Sequence, residues 1–188
     1  MLDRFKVPEE DRVYVEEAAV RAATEAIFTS IGLSKDNAWR ATDVLIQNDL
    51  RGVETHGVSN MLRSYVANYR SGDLEAQPRI EIERETSTTA VLDGGKGLGL
   101  HVAPTAMELA IEKARAHGLG AVTVHNVGHM GGAGYHAMMA LEQDMIGVAM
   151  STSGRPSVLP TWGAEPRLGT NPIAWAAPRS EEHTSELQ

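Results

Sequence analysis

The sequence predicts an α/β protein in which a helical amino-terminal lobe, residues 1–75, precedes a mixed α/β layer domain, residues 76–178. Two observations carry this reading. Up to Gly72 the apolar residues recur at three- and four-residue intervals between cap residues, and from Arg79 onward β-branched or period-two runs alternate with helical ones. A third observation sets the end of the fold. Residues 179–188, Arg179-Ser-Glu-Glu-His-Thr-Ser-Glu-Leu-Gln, are polar and aperiodic and cut off the apolar run Ile173-Ala-Trp-Ala-Ala-Pro, so they are read as a non-native tail, with an ordinary flexible terminus as the alternative.

Pro8 followed by Glu9, Glu10 and Asp11 starts a helix, because proline lacks an amide that would go unpaired there and acids complement the positive helix end. That helix runs to about Ile31, with Ala18, Ala19, Ala22, Ala23, Ala26 and Ile27 as its packing stripe and Gly32 as its stop. Ser34 caps a second helix on which Ala38, Ala41, Leu45 and Ile46 share a face, ending near Asn48 or Asp49. Ser59 caps a third, with Leu62, Tyr65, Val66 and Tyr69 on one side and Gly72 closing it. Arg79–Glu83 alternates with period two and Thr86–Leu92 is β-branched, giving two strands. Pro104 starts a helix stopped at Gly118. A strand at Ala121–Val124, a loop at His125–Gly134, a short helix over Tyr135–Glu142 and a strand around Ile146–Met150 follow. The long Pro/Gly-rich loop from Ser153 to Pro172 has the length of a functional or disordered segment.

Composition excludes several function classes. The 188 residues contain 17 Lys+Arg against 25 Asp+Glu, a net charge of −8, which is the wrong sign for general nucleic-acid or anionic-membrane binding. There is no cysteine, so disulfides, thiolate nucleophiles and Cys-type metal sites are absent from this sequence. Met1-Leu-Asp-Arg-Phe-Lys-Val-Pro has no apolar signal-peptide core and no stretch approaches the ~20 apolar residues of a membrane span. A soluble, cytoplasmic protein is expected.

Three segments concentrate chemistry. The loop Asp93-Gly-Gly-Lys-Gly-Leu-Gly99 fails both phosphate templates: Lys96 is followed by Gly97 instead of Ser or Thr, and Val102 stands where the dinucleotide fingerprint needs glycine. It reads as a tight turn into the next helix. His125 and His129 are four apart, but Asn126 replaces the glutamate of zinc proteases and the surrounding glycines oppose a helix, so no metal site is assigned and a metal hydrolase is the least favoured function. A glycine-rich loop that lets a ligand approach His129 and a plain structural turn both remain open there. In Asp49-Leu-Arg-Gly-Val-Glu-Thr-His56-Gly, His56 can exchange a proton near neutral pH and Arg51 offers a planar fork to a carboxylate. By itself this loop reads first as a surface salt-bridge cluster around a loop histidine.

Taken together, Asp49-Leu-Arg-Gly-Val-Glu-Thr-His56-Gly-Val58, the Tyr65–Gly72 segment, Asn126-Val-Gly-His129-Met-Gly, Tyr135, Met145-Ile-Gly147 and Gly169-Thr-Asn-Pro172-Ile-Ala resemble the malate/L-lactate dehydrogenase type 2 family. The resemblance spans about residues 10–178. It implies a non-Rossmann dehydrogenase fold, in keeping with the failed fingerprints, and commonly a homodimer. It implies an NAD- or NADP-dependent oxidoreductase acting on a small carboxylate, a 2-hydroxy or 2-oxo acid. By position, His56 matches the family histidine that exchanges a proton with the substrate, His129 matches the second histidine, the base in some members, and Ser153, Gly169, Thr170, Asn171 and Pro172 match cofactor-contacting positions; Thr55 keeps the hydroxyl of the more usual serine. The family chain continues past Pro178, so the resemblance implies a truncated, amino-terminal fragment with little activity of its own. A catalytically silent small-acid-binding protein of the same fold is the alternative.

Overall fold

The computed structural model describes residues 8, 10, 13–152 and 156–179. Ser153 and residues 180–188 of the predicted tail lie outside the described residues. Helix α1 spans Glu17–Ser30, α2 Lys35–Leu50 and α3 Val58–Ser71, with a 3-10 turn at Glu54–His56 between the last two. Strands β1 (Glu81–Glu85) and β2 (Thr89–Asp93) lead into α4 (Gly99–His117) and β3 (Ala121–His125). Helix α5 (Ala133–Met138), a 3-10 turn at Met139–Gln143, β4 (Gly147–Met150) and β5 (Ile173–Ala176) complete the order. The α/β class expected from the sequence is the one observed.

β1 and β2 form an antiparallel hairpin, and β2 pairs parallel with β3 from Thr89↔Ala121 to Asp93↔His125, the two being joined through α4. β4 and β5 form a separate antiparallel pair. One core cluster runs from Phe28 on α1 through Val44 and Leu45 on α2 and Tyr65 on α3 to Leu98 and Leu100 at the start of α4. A smaller cluster of Ala133, Ala137 and Ala149 packs α5 on β4. Lys113, buried on α4, donates to Glu85 Oε1 and to the Thr86 carbonyl, both at 2.8 Å, and so pins the hairpin to the helix.

Several helix boundaries differ from expectation, each for a physical reason. α1 begins at Glu17, because Val13, Tyr14 and Val15 stay exposed outside any element and gain no burial to offset the poor helix propensity of β-branched and aromatic residues. Its buried residues are Thr24 and Phe28, while the alanine stripe faces outward. α4 begins at Gly99 and carries Pro104 inside it, since Leu98, Leu100 and Val102 are fully buried and reward extension back past the proline. α2 follows expectation: the Ser34 hydroxyl accepts from the Asn37 amide at 3.2 Å, and the Ala38, Ala41 and Leu45 face is buried.

His101 is buried in α4, and neither of its ring nitrogens has a partner among the described residues. Burial first, then the nearby Arg40 charge, push it down to about 4, with Asp36 opposing. The unfolded chain therefore binds a proton that the folded chain refuses as pH falls below the ordinary histidine range. Stability is fully retained above about pH 6.5 and falls by about 3 kcal/mol by pH 4 through this group alone. Buried His136, whose depression is also caused chiefly by desolvation, adds in the same direction. Urea unfolding at pH 7 and pH 4.5 should show this slope, and His101→Leu should flatten it.

Candidate functional site

The site is assembled where the α2–α3 connection meets the loop after β3. α2 ends at Leu50, and the backbone turns through Gly52 (φ 72°) into the short 3-10 turn that carries His56. The next helix, α3, starts at Val58 with Gly57 in the cap position, two residues earlier than a Ser59 cap would place it. Asp49 supplies the cap from a distance: its Oδ2 accepts the Val58 amide at 2.8 Å. Shelter from water raises the Asp49 carboxyl above its ordinary range, against the lowering effect of the Val58 bond, and Glu54 adds to the rise. A side chain at Gly57 has no room, since its Cβ would lie 1.6 Å from Asp49 Oδ1. Gly57→Ala should cost about 2 kcal/mol by displacing the cap, read as a lower denaturation midpoint.

His129 arrives from the other side. The loop Asn126–Gly132 is laced to the glycine-rich turn by Gly94 N–H to His125 O (2.9 Å), Lys96 N–H to Asn126 O (2.8 Å) and Gly128 N–H to Gly97 O (2.8 Å). A Cβ at Gly99 would come within 2.5 Å of the Gly128 carbonyl, so glycine there permits backbone-to-backbone contact. The Asp93–Gly99 segment is therefore a structural turn, as expected, and its work is to seat the His129 loop. His136 on α5 holds the same loop, its Nε2 donating to Met130 O at 2.7 Å.

The two imidazoles stack with ring centroids 5.5 Å apart and planes 21° from parallel. Thr55 Oγ1 lies 2.9 Å from His56 Nδ1, and buried Asn48 donates to the His56 carbonyl at 3.3 Å while packing against Gly132. Tyr65 OH lies 2.7 Å from His129 Nδ1, which also accepts the Gly131 amide at 3.3 Å. Partial desolvation by these neighbours, then the adjacent His56, hold His129 below the ordinary histidine range. The pair can thus exchange a proton with a small ligand and donate a hydrogen bond to it.

The other residues singled out in the sequence are placed as follows. Arg51 is exposed in the turn after α2; its backbone N–H donates to Gln47 O at 3.2 Å, and its guanidinium has no hydrogen bond or ion pair among the described residues. Gly169, Thr170, Asn171 and Pro172 form an open stretch leading into β5, tied to β4 where Ser151 N–H donates to Pro172 O at 3.2 Å. His125 turns away from His129 and meets Glu83 at 2.9 Å near Asp93, so the two histidines spaced by four serve different contacts. Asn48, Asp49 and Tyr65 were not marked as site residues by the sequence. A polar Asn48 on the buried face of α2 was the available signal.

The comparisons with known proteins agree with one another. A family profile described as Malate/L-lactate dehydrogenase matches residues 15–186. A malate dehydrogenase of Pyrococcus abyssi is 47% identical over 175 residues, 89% of this chain and 48% of its own length. An L-sulfolactate dehydrogenase of Methanothermobacter thermautotrophicus is 42% identical, covering 85% of this chain and 46% of its own. The solved malate dehydrogenase of Pyrococcus horikoshii superposes with a TM-score of 0.87 at 42% identity, over 95% of this chain and 50% of that one. The chain spans about half the length of these relatives.

Proposed function

The chain belongs to the malate/L-lactate dehydrogenase family, and from that premise we propose that the protein acts as an NAD(P)-dependent dehydrogenase moving a hydride between a nicotinamide cofactor and a small 2-hydroxy or 2-oxo acid. The observation that carries the reading is the His56–His129 stack, two imidazoles from separate segments brought face to face at 5.5 Å. Reducing a 2-oxo acid requires a proton for the carbonyl oxygen, a donor that polarises it and a cation that holds the carboxylate. His56 is the proton exchanger, His129 the second group at the oxygen, and Arg51 the exposed cation for the carboxylate. The names of the relatives support the substrate class, since malate and sulfolactate are both 2-hydroxy acids carrying a further acidic group.

The donor set suits a nicotinamide cofactor. Thr170 and Asn171 offer an exposed hydroxyl and an exposed amide beside the backbone of Gly169 and Pro172, groups that pair with ribose hydroxyls and a carboxamide. These four residues, with Ser153, would hold it. When bound, the nicotinamide supplies or accepts the hydride. On this reading residues 1–75 form the substrate side and 76–178 the cofactor side, and the working protein is a cytoplasmic homodimer. Exposed Met150, Ile173 and Trp175 on the β4–β5 pair support an assembly in which that apolar face is covered. Among the described residues no helix is long and apolar enough to cross a membrane.

A test is the oxidation of NADH and of NADPH with a panel of 2-oxo acids, including oxaloacetate and pyruvate, by a chain of the relatives' length that carries this sequence. Turnover with at least one acid is expected, and its absence with all of them would sink the reading.

A further inference from the structure

We infer that Tyr65 is a positioning residue which, with the Gly131 amide, holds His129 as the neutral tautomer protonated on Nε2, so that His129 meets a ligand oxygen as a hydrogen-bond donor and leaves proton exchange to His56. The role at the ligand oxygen rests on the dehydrogenase reading above; the tautomer assignment does not.

The argument starts from a group that can only donate. The Gly131 backbone N–H reaches His129 Nδ1 at 3.3 Å, so Nδ1 presents a lone pair and not a proton. Tyr65 OH lies 2.7 Å from the same atom. Tyr65 is 1% exposed, and its hydroxyl has no other partner among the described residues, so the phenolic proton is satisfied only by pointing at Nδ1. Two donors on one nitrogen place the ring's own proton on Nε2, which has no partner among the described residues and remains available to a ligand. Protonating Nδ1 would set one N–H against another.

The charged groups around the ring push the same way. The titratable neighbours facing His129 are Tyr65 on α3 and His56 on the turn before it; burial and the His56 contact both favour the neutral imidazole. The Nδ1 neighbour of His56 is instead the Thr55 hydroxyl, a group able to donate or accept. Gly131 adopts φ 77°, the left-handed region that glycine enters without strain, and that turn is what aims its amide back at the ring. The lock is thus a left-handed glycine and a buried phenol acting on one nitrogen.

The experiment is long-range proton–nitrogen NMR of the 15N-labelled chain, with the His129 signals identified by their loss in His129→Gln. The wild-type chain is expected to show a pyridine-type Nδ1, a protonated Nε2 and a titration midpoint below the ordinary histidine value. Tyr65→Phe keeps the ring packing and removes one donor to the neutral form, so the midpoint should rise by ~0.5–1 unit. A protonated Nδ1 in the wild type overturns the assignment without any variant, and an unchanged midpoint in Tyr65→Phe overturns the part given to Tyr65. In a chain of the relatives' length, Tyr65→Phe should lower kcat about tenfold and leave the cofactor KM unchanged. An unchanged kcat beside an altered NMR midpoint overturns the donor role. If the wild type oxidises neither cofactor while the NMR results hold, the dehydrogenase reading fails and the tautomer assignment stands.

Discussion

His56→Ala, in a chain of the relatives' length carrying this sequence, is expected to lower turnover with a 2-oxo acid by ~10²–10⁴-fold, the range that a positioned proton donor supplies. Cofactor affinity should stay nearly constant, because the proposed cofactor contacts, Gly169–Pro172, sit on the approach to β5, whereas the lost ring meets Thr55 and stacks on His129. Folding should also survive, since Asn48 binds the His56 carbonyl, which alanine retains. Arg51→Ala should behave differently and chiefly raise the KM for the acid, removing a charge contact present in both ground and transition states. Steady-state kinetics over a pH series separate these outcomes. If His129→Ala abolishes turnover while His56→Ala keeps near-normal kcat, the proton exchange belongs to His129.

Gly120→Ala is expected to destabilise the fold by about 3 kcal/mol or more, and Gly118→Ala, two residues earlier, by only about 1–2 kcal/mol. The two glycines do different work. Gly118 ends α4 at φ 79° with open space where a Cβ would project, so its substitution costs backbone strain alone. A Cβ at Gly120 would lie 1.8 Å from the Ala110 carbonyl, a backbone atom of α4 that cannot swing aside. The helix would have to lift off β3, and with it the parallel pairing of β2 and β3 that leads into the His129 loop. Chemical denaturation of both variants checks the ordering, and equal losses would contradict it.

How much of this was legible in the sequence depended on whether the deciding contact was local. α2 was read correctly because its cap, Ser34 to Asn37, and its buried face lie within one helix. The glycine-rich turn was read correctly because a failed phosphate template leaves only the backbone reasons for glycine. The start of α3 was misplaced because its cap, Asp49, belongs to the preceding helix. The face of α1 differs from the alanine stripe because alanine spacing alone cannot show that Thr24 and Phe28 are the residues that become buried. His56 and His129 were each singled out, but their stacking depends on a loop fixed by Gly97, Asn126 and Met130, none of which signals proximity by residue type. The Tyr65–His129 contact joins residues 64 apart in the chain, and Tyr65 read only as one more core residue on a helical face.

The most direct test of the central claim, that this chain carries the proton-exchanging half of a 2-hydroxy acid dehydrogenase, follows an atom rather than a rate. A chain of the relatives' length is given a 2-oxo acid and nicotinamide cofactor carrying deuterium at the transferable C4 position, and the acid is examined by mass spectrometry. One deuterium at C2 of a 2-hydroxy acid product is the expected result. Ligand binding, seen as quenching of Trp162 or Trp175 fluorescence, with no deuterium in the acid would contradict the account and mark the protein as a silent binder of small acids.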